Sequence, residues 1–158
     1  MTEQSLFPEN IDERIERLDA EILSLLIGKP GGPQGLTLSD SEKQVLRVVR
    51  FCRGAARAVT IKDMRAFMDC DLTEREIKQA VRTLRINFGV HIGSSKMGSG
   101  GGYFLMITNE DRAILNAQIM GQIRAEFDVL KAMNKPHEVL ELLGQLQLEI
   151  GATAPEAA

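Results

Sequence analysis

The sequence has no Trp, a single Tyr, and aromatics at only 4% of its residues. Its core must therefore be aliphatic, assembled from Leu, Ile, Val and Met. Seven methionines suit adaptable packing or an apolar interface rather than a cofactor. There are two cysteines, Cys52 and Cys70, and no CxxC pair, which argues against a disulfide framework or a zinc cluster. Free thiols fit a reducing cytoplasm. The opening MTEQSLFPEN is not a basic stretch leading into an apolar one, so a signal peptide is not expected. The apolar runs are too short for a membrane span, and the expected location is cytoplasmic.

What is present is ordinary for a globular chain: 158 residues, 44% hydrophobic and 26% charged, about one domain with extensions. The formal charge of −3 is unevenly spread. Residues 1–41 carry a net of −5, residues 42–96 a net of +6, and residues 97–158 a net of −4. A phosphate backbone responds to the surface that faces it rather than to the chain total. The middle segment is thus a candidate anion-binding surface inside an acidic protein.

Asn10 caps a predicted helix in which Ile11, Ile15, Leu18, Ile22 and Leu25 form a heptad-like seam. The other face holds Glu13, Arg14, Glu16, Arg17, Asp19 and Glu21. Two readings stay open for this arm, residues 1–27: it folds on its own domain, or it pairs between subunits. GKPGGPQG at 28–35 stops the helix, and residues 28–38 are expected to be a flexible linker. A helix is predicted from about Ser39 to Arg53, with Val45, Leu46, Val49 and Cys52 on one side. A short extended piece is expected near Ala58–Val59. Thr60 with Asp63 then caps a short helix whose apolar positions are Ile61, Met64, Phe67 and Met68.

Thr73 and Glu76 form a capping box. The helix behind it buries Ile77, Ala80, Val81, Leu84 and Phe88 on one stripe and stops at Gly89. VHI at 90–92 and YFLMI at 103–107 read as strands around a Gly-rich loop, SSKMGSGGG at 94–102. Thr108 with Asp111 caps a long helix to about Met133, with Ile114, Leu115, Ile119, Ile123, Phe127 and Leu130 on its apolar side. Pro136 breaks it. A last helix is expected over His137–Ile150, striped by Val139, Leu140, Leu143 and Leu146, and GATAPEAA at 151–158 is expected to be a disordered tail.

The middle order is helix, extended piece, helix, turn, helix, strand, Gly-rich loop, strand. With DLTEREIKQAVRTLRINFGVHIGSS followed by GGGYFLMITNED, residues 41–110 resemble the winged-helix family, and in particular small bacterial and prophage winged-helix proteins. The resemblance implies a mainly α fold with a small β-hairpin: a winged helix-turn-helix over 39–108, an N-terminal helical arm, and a C-terminal helical extension over 109–150. It also implies that 73–88 is a recognition helix and 95–102 a wing. The wing carries one cation, Lys96, where many DNA-binding wings carry more. The arm and the last two helices lie outside the resemblance.

If the helix packs by its apolar stripe, its opposite face presents Arg75, Gln79 and Arg82, flanked by Lys78 and Thr83. Arg and Gln have the donor geometry to read guanine and adenine edges in a major groove. Arg85 sits nearer the buried boundary and is expected to reach a phosphate by its long stem. Thr60, Lys62 and Ser94–Lys96 are candidate phosphate anchors. The expected function is binding of double-stranded DNA, in transcription regulation. The alternative is a protein–protein adaptor built on the same scaffold, in replication or phage assembly; the acidic arms and sparse wing charge favour it. A homodimer through the helical extensions is expected.

GSGGG at 98–102 lacks the helix and the Lys-Ser/Thr of a P-loop. His91 and His137 have no ligand-spaced partner, and no nucleophile with its base stands out. Neither enzyme, cofactor nor metal is expected.

Overall fold

A computed structural model describes residues 10–96 and 101–153. The chain divides into two compact units, one up to Gln118 and one from Ile119 onward. Among the described residues the protein is mainly helical with one two-stranded antiparallel sheet. Its elements are α1 (Ile11–Leu26), α2 (Asp40–Val49), α3 (Ile61–Phe67), α4 (Glu74–Asn87), β1 (Ile92–Ser95), β2 (Gly102–Leu105), α5 (Asn109–Met133) and α6 (Pro136–Thr153). A 3₁₀ turn, Ala55–Arg57, lies between α2 and α3. No helix among the described residues is long and apolar enough to cross a membrane.

The core of the first unit is aliphatic. Val45, Leu46, Val49, Met64, Ile77, Leu84 and Ile92 are fully buried in one cluster to which α1, α2, α3, α4 and the sheet contribute. α1 belongs to it through Leu18, Ile22 and Leu25, so this side of the arm packs on its own unit. The stripe differs from the seam read in the sequence. Ile11 is 49% exposed, whereas Arg14, expected on the charged face, is 2% exposed and donates from Nη2 to the Met106 carbonyl at 3.5 Å. A long side chain with an acceptor near its head can occupy an inward position that residue type alone assigns to solvent.

Residues 28–38 do not hang free. Gly31 and Leu36 exchange backbone hydrogen bonds of 2.8 and 3.0 Å, Gly31 lies against Leu25 and Phe88, and Leu38 enters the core. At Gly32, φ is +70° and a Cβ would stand 2.0 Å from the Asn87 carbonyl oxygen; only glycine permits both the conformation and the approach. The glycines that suggested a loose tether instead let a tight turn close on the end of α4.

α2 stops earlier than the expected Arg53 because the chain leaves it to join the sheet. The Leu105 amide donates to the Cys52 carbonyl at 2.7 Å, and the Gly54 amide to the Leu105 carbonyl at 2.9 Å. Val59 exchanges bonds with Tyr103 at 2.8 and 2.9 Å, so β2 has the 52–59 segment on one edge and β1 on the other. The β1–β2 ladder pairs Ile92 with Leu105 and Ser95 with Gly102. It starts at Ile92 rather than Val90, since the Val90 amide still bonds the Leu84 carbonyl that ends α4.

Asp111 fixes the start of α5. It is 6% exposed and accepts from the amides of Ala55, Ile107 and Thr108 at 3.0, 2.9 and 3.1 Å. Leu115 packs beside Phe104 and Met106, and Ser94 donates to Gln118 at 3.3 Å. These contacts place the first ten residues of α5 in the first unit, so the division falls at Gln118 and not after Thr108. The second unit holds the rest of α5 and α6. α6 begins with Pro136 at a position where its missing N–H costs nothing, and the Lys135 amide donates to Glu138. Gly151–Thr153, expected to open the tail, still belong to α6, and residues 154–158 lie outside the described residues.

Candidate nucleic-acid interface

α4 is positioned by two independent local devices. At its start the Thr73 hydroxyl oxygen accepts from the Glu76 amide at 3.3 Å, and Glu76 accepts from the Thr73 amide at 2.7 Å. The Thr73 hydroxyl also donates to the Glu76 carboxylate at 2.6 Å, and this bond first, then that from the Thr73 amide, holds the Glu76 carboxyl below its ordinary pKa, as expected of an acid at a helix N-terminus. Along its length Ile77, Ala80, Val81 and Leu84 are buried. With that stripe fixed inward, the 100° step of the helix turns Arg75, Gln79 and Arg82 outward, and all three are exposed. Among the described residues their side chains form no ion pair or hydrogen bond. Ile86 continues the same outward line and is 61% exposed; sequence reasoning passed over it because it sought cations and amides only.

Arg75, Lys78, Gln79 and Arg82 line one shallow open depression with Glu74. A second, lined by Lys62, Arg65, Asp71 and Glu74 among others, shares Glu74 with it, so the start of α3 adjoins the outer face of α4. Lys62 is exposed. Arg65, which the sequence reading did not single out, pairs with Asp71 at 2.8 Å.

The remaining candidates divide by what already holds them. Lys78 is bonded to Glu74 one turn back; the hydrogen bond raises the lysine pKa and lowers that of the glutamate, and both stay at the surface, where such a pair is weak and exchangeable. Thr60 caps α3, its hydroxyl accepting from the Asp63 amide at 3.1 Å and donating to the Asp63 carboxylate at 2.8 Å. Arg85 does not extend toward solvent. Its Nε donates to the Ile92 carbonyl at 2.7 Å, its guanidinium lies 5.8 Å from the Tyr103 ring centre, and burial holds its pKa below the ordinary arginine value. It ties α4 to β1. Lys96 is exposed immediately after β1. Ser94 is half-buried and donates to Gln118. The central part of the expected wing, residues 97–100, lies outside the described residues.

Compared with protein-family models, curated proteins and solved structures, the chain matches none of them. The site therefore has to be judged on its own chemistry. That chemistry consists of guanidinium, ammonium and amide donors along the exposed face of one helix. Among the described residues no group of three or more His, Cys, Asp and Glu is placed to hold a metal ion. His91 is half-buried near Arg14, Arg17 and Glu21, away from the depressions on α4.

Proposed function

We propose that residues 39–108 are a winged helix that binds double-stranded DNA, with α4 entering the major groove and the β1–β2 hairpin acting as the wing, in a transcriptional regulator of bacterial or prophage type. The observation that carries this reading is the outward row of Arg75, Gln79 and Arg82, exposed and engaged with no other side chain of the described residues. An α-helix with guanidinium and amide groups along one free face matches the width of a major groove and the donor pattern of purine edges. The order α2, 52–59 edge, α3, α4, β1, β2 supports it, since it repeats the order of helix, extended piece, helix, helix, strand and strand on which the resemblance rests. Lys62 and Lys96 act on phosphates beside the groove. Arg85 and Thr60 act as structural supports. The role is one of binding, not catalysis.

Fluorescence anisotropy with a labelled random-sequence duplex tests this. Binding is expected at low salt and weakens steeply as salt rises, because each phosphate contact releases a counterion. Arg75→Ala combined with Arg82→Ala should weaken it at least about tenfold, and Lys62→Ala should lower the salt slope by about 1. No binding at low salt, or a double variant that binds as well as the parent, would refute the proposal. The adaptor reading is favoured by apolar surface near the same elements: Phe67 at the end of α3 and Ile86 on α4 are 73% and 61% exposed. A salt-insensitive partner would point to it.

A further inference from the structure

The second unit is made of helix and very little core. From Ile119 onward, eleven large apolar side chains are exposed, from Leu143 at 36% to Met133 at 78%, and Val139 alone is buried. Burial is confined to the end where α5 turns into α6: Phe127 and Leu130 are half-buried, and between them and Val139 the Asn134 side chain donates to the Leu130 carbonyl at 2.9 Å. Away from the turn the pattern continues but the cover does not. Val139, Leu143, Leu146 and Ile150 recur at spacings of four, three and four, the signature of a seam meant to be packed. The last three of them are exposed.

We infer that this seam is covered by a second copy of the same chain, α5–α6 hairpin against α5–α6 hairpin, in a two-fold four-helix bundle. Two arguments select a copy of the chain. The first is area. At very roughly 80 Å² each, the exposed apolar side chains other than Leu148, which lies off the seam, offer on the order of 800 Å² per copy, the share each partner contributes to a stable interface of standard size. The second is charge. α6 carries Glu138, Glu141 and Glu149 and no Lys or Arg, whereas residues 119–135 carry Arg124, Lys131 and Lys135 against Glu126 and Asp128. One helix is therefore net −3 and the other stretch net +1. A two-fold arrangement that lays α6 of each copy along the 119–135 stretch of the other, with Lys135 just beyond α5 supplying the excess positive charge, is attractive at both contacts, while an acidic foreign helix would be repelled by α6. The inference is independent of what α4 binds.

The test is the mass of the full chain in solution. Light scattering at micromolar concentration is expected to give twice the 17.5 kDa of one chain. Leu146→Glu with Ile150→Glu, at positions 51% and 61% exposed within one copy, should return a single-chain mass while the far-ultraviolet dichroism of the first unit's helices is kept. A monomeric parent overturns the proposal, and so does a dimer that survives the double substitution. Hydrogen exchange on the unsubstituted protein decides the matter even if that variant does not fold. Amides of 139–150 should exchange at least about tenfold more slowly at high than at low protein concentration. Protection that is independent of concentration there, or that rises only within 40–105, overturns it.

Discussion

The two units obey the same rules for making helices and differ in what happens next. In the first, every helix from α1 to α4 contributes buried side chains to one cluster, and polar groups such as Asp111 are placed to satisfy amides that would otherwise be buried without partners. In the second, α6 has a proline at its first position, an acidic first turn and a Leu-rich stripe, and yet buries only Val139. Local signals suffice to specify a helix; they do not supply the apolar burial that makes it stable in isolation. The first unit is held by contacts within one copy, and the second leaves most of its large apolar side chains exposed.

That contrast is broken most directly by two truncations. Phe104 is fully buried, and Phe104→Ala should cost about 3–5 kcal/mol. Leu148 is 75% exposed, off the seam of α6, and Leu148→Ala should stay within about 0.5 kcal/mol. Urea unfolding followed by far-ultraviolet dichroism, to which the helices of both units contribute, reads both changes. Equal effects from the two changes would erase the distinction between the units.

A smaller loss is expected from Asp111→Ala. It strips an acceptor from three amides at once and should cost about 2–4 kcal/mol, again read by dichroism. An unchanged midpoint would mean that the start of α5 is not anchored to the 54–55 turn.

The smallest effect is one of pH. Burial first, then the Arg14 charge, holds the His91 pKa below its ordinary 6.5, with Glu21 acting in the opposite sense and Arg17 again lowering it. The unfolded chain thus takes up a proton before the folded one does, so the contribution is whole above about 6.5 and declines as the pH falls below that value toward the folded pKa. His91→Phe should flatten this part of the stability profile of the first unit; a profile parallel to that of the parent would exclude His91 as its source.

Much of this was legible in the residues. TERE at 73–76, the stripe from Ile77 to Phe88 and Gly89 bounded α4 to within a residue at either end, because capping, periodicity and termination agreed there. The outward position of Arg75, Gln79 and Arg82 followed from the same stripe. Pairing partners were less legible. Arg14 and Arg85 belong by type to surfaces, and what turns them inward is a carbonyl far away in the chain at Met106 or across a turn at Ile92, neither of which leaves a mark on local pattern. The strand bounds shifted by two residues since the Val90 amide was claimed by Leu84. The stretch 28–38 misled for a related reason: glycine signals that a backbone must do something unusual, and the same letters serve a tether or a close approach.

That close approach divides α4 into a side held fast and a side left open. Its Phe88 end is clamped against the turn at Gly31 and Gly32, where a single methyl would collide with the Asn87 carbonyl, while Arg75, Gln79 and Arg82 form no hydrogen bond or ion pair among the described residues. Substitutions along Arg75, Gln79 and Arg82 can therefore drift without a penalty to the scaffold. A side chain added at position 32 would instead press on the backbone of residues 87 and 88, so the freedom of the outer row rests on a position where no freedom is left.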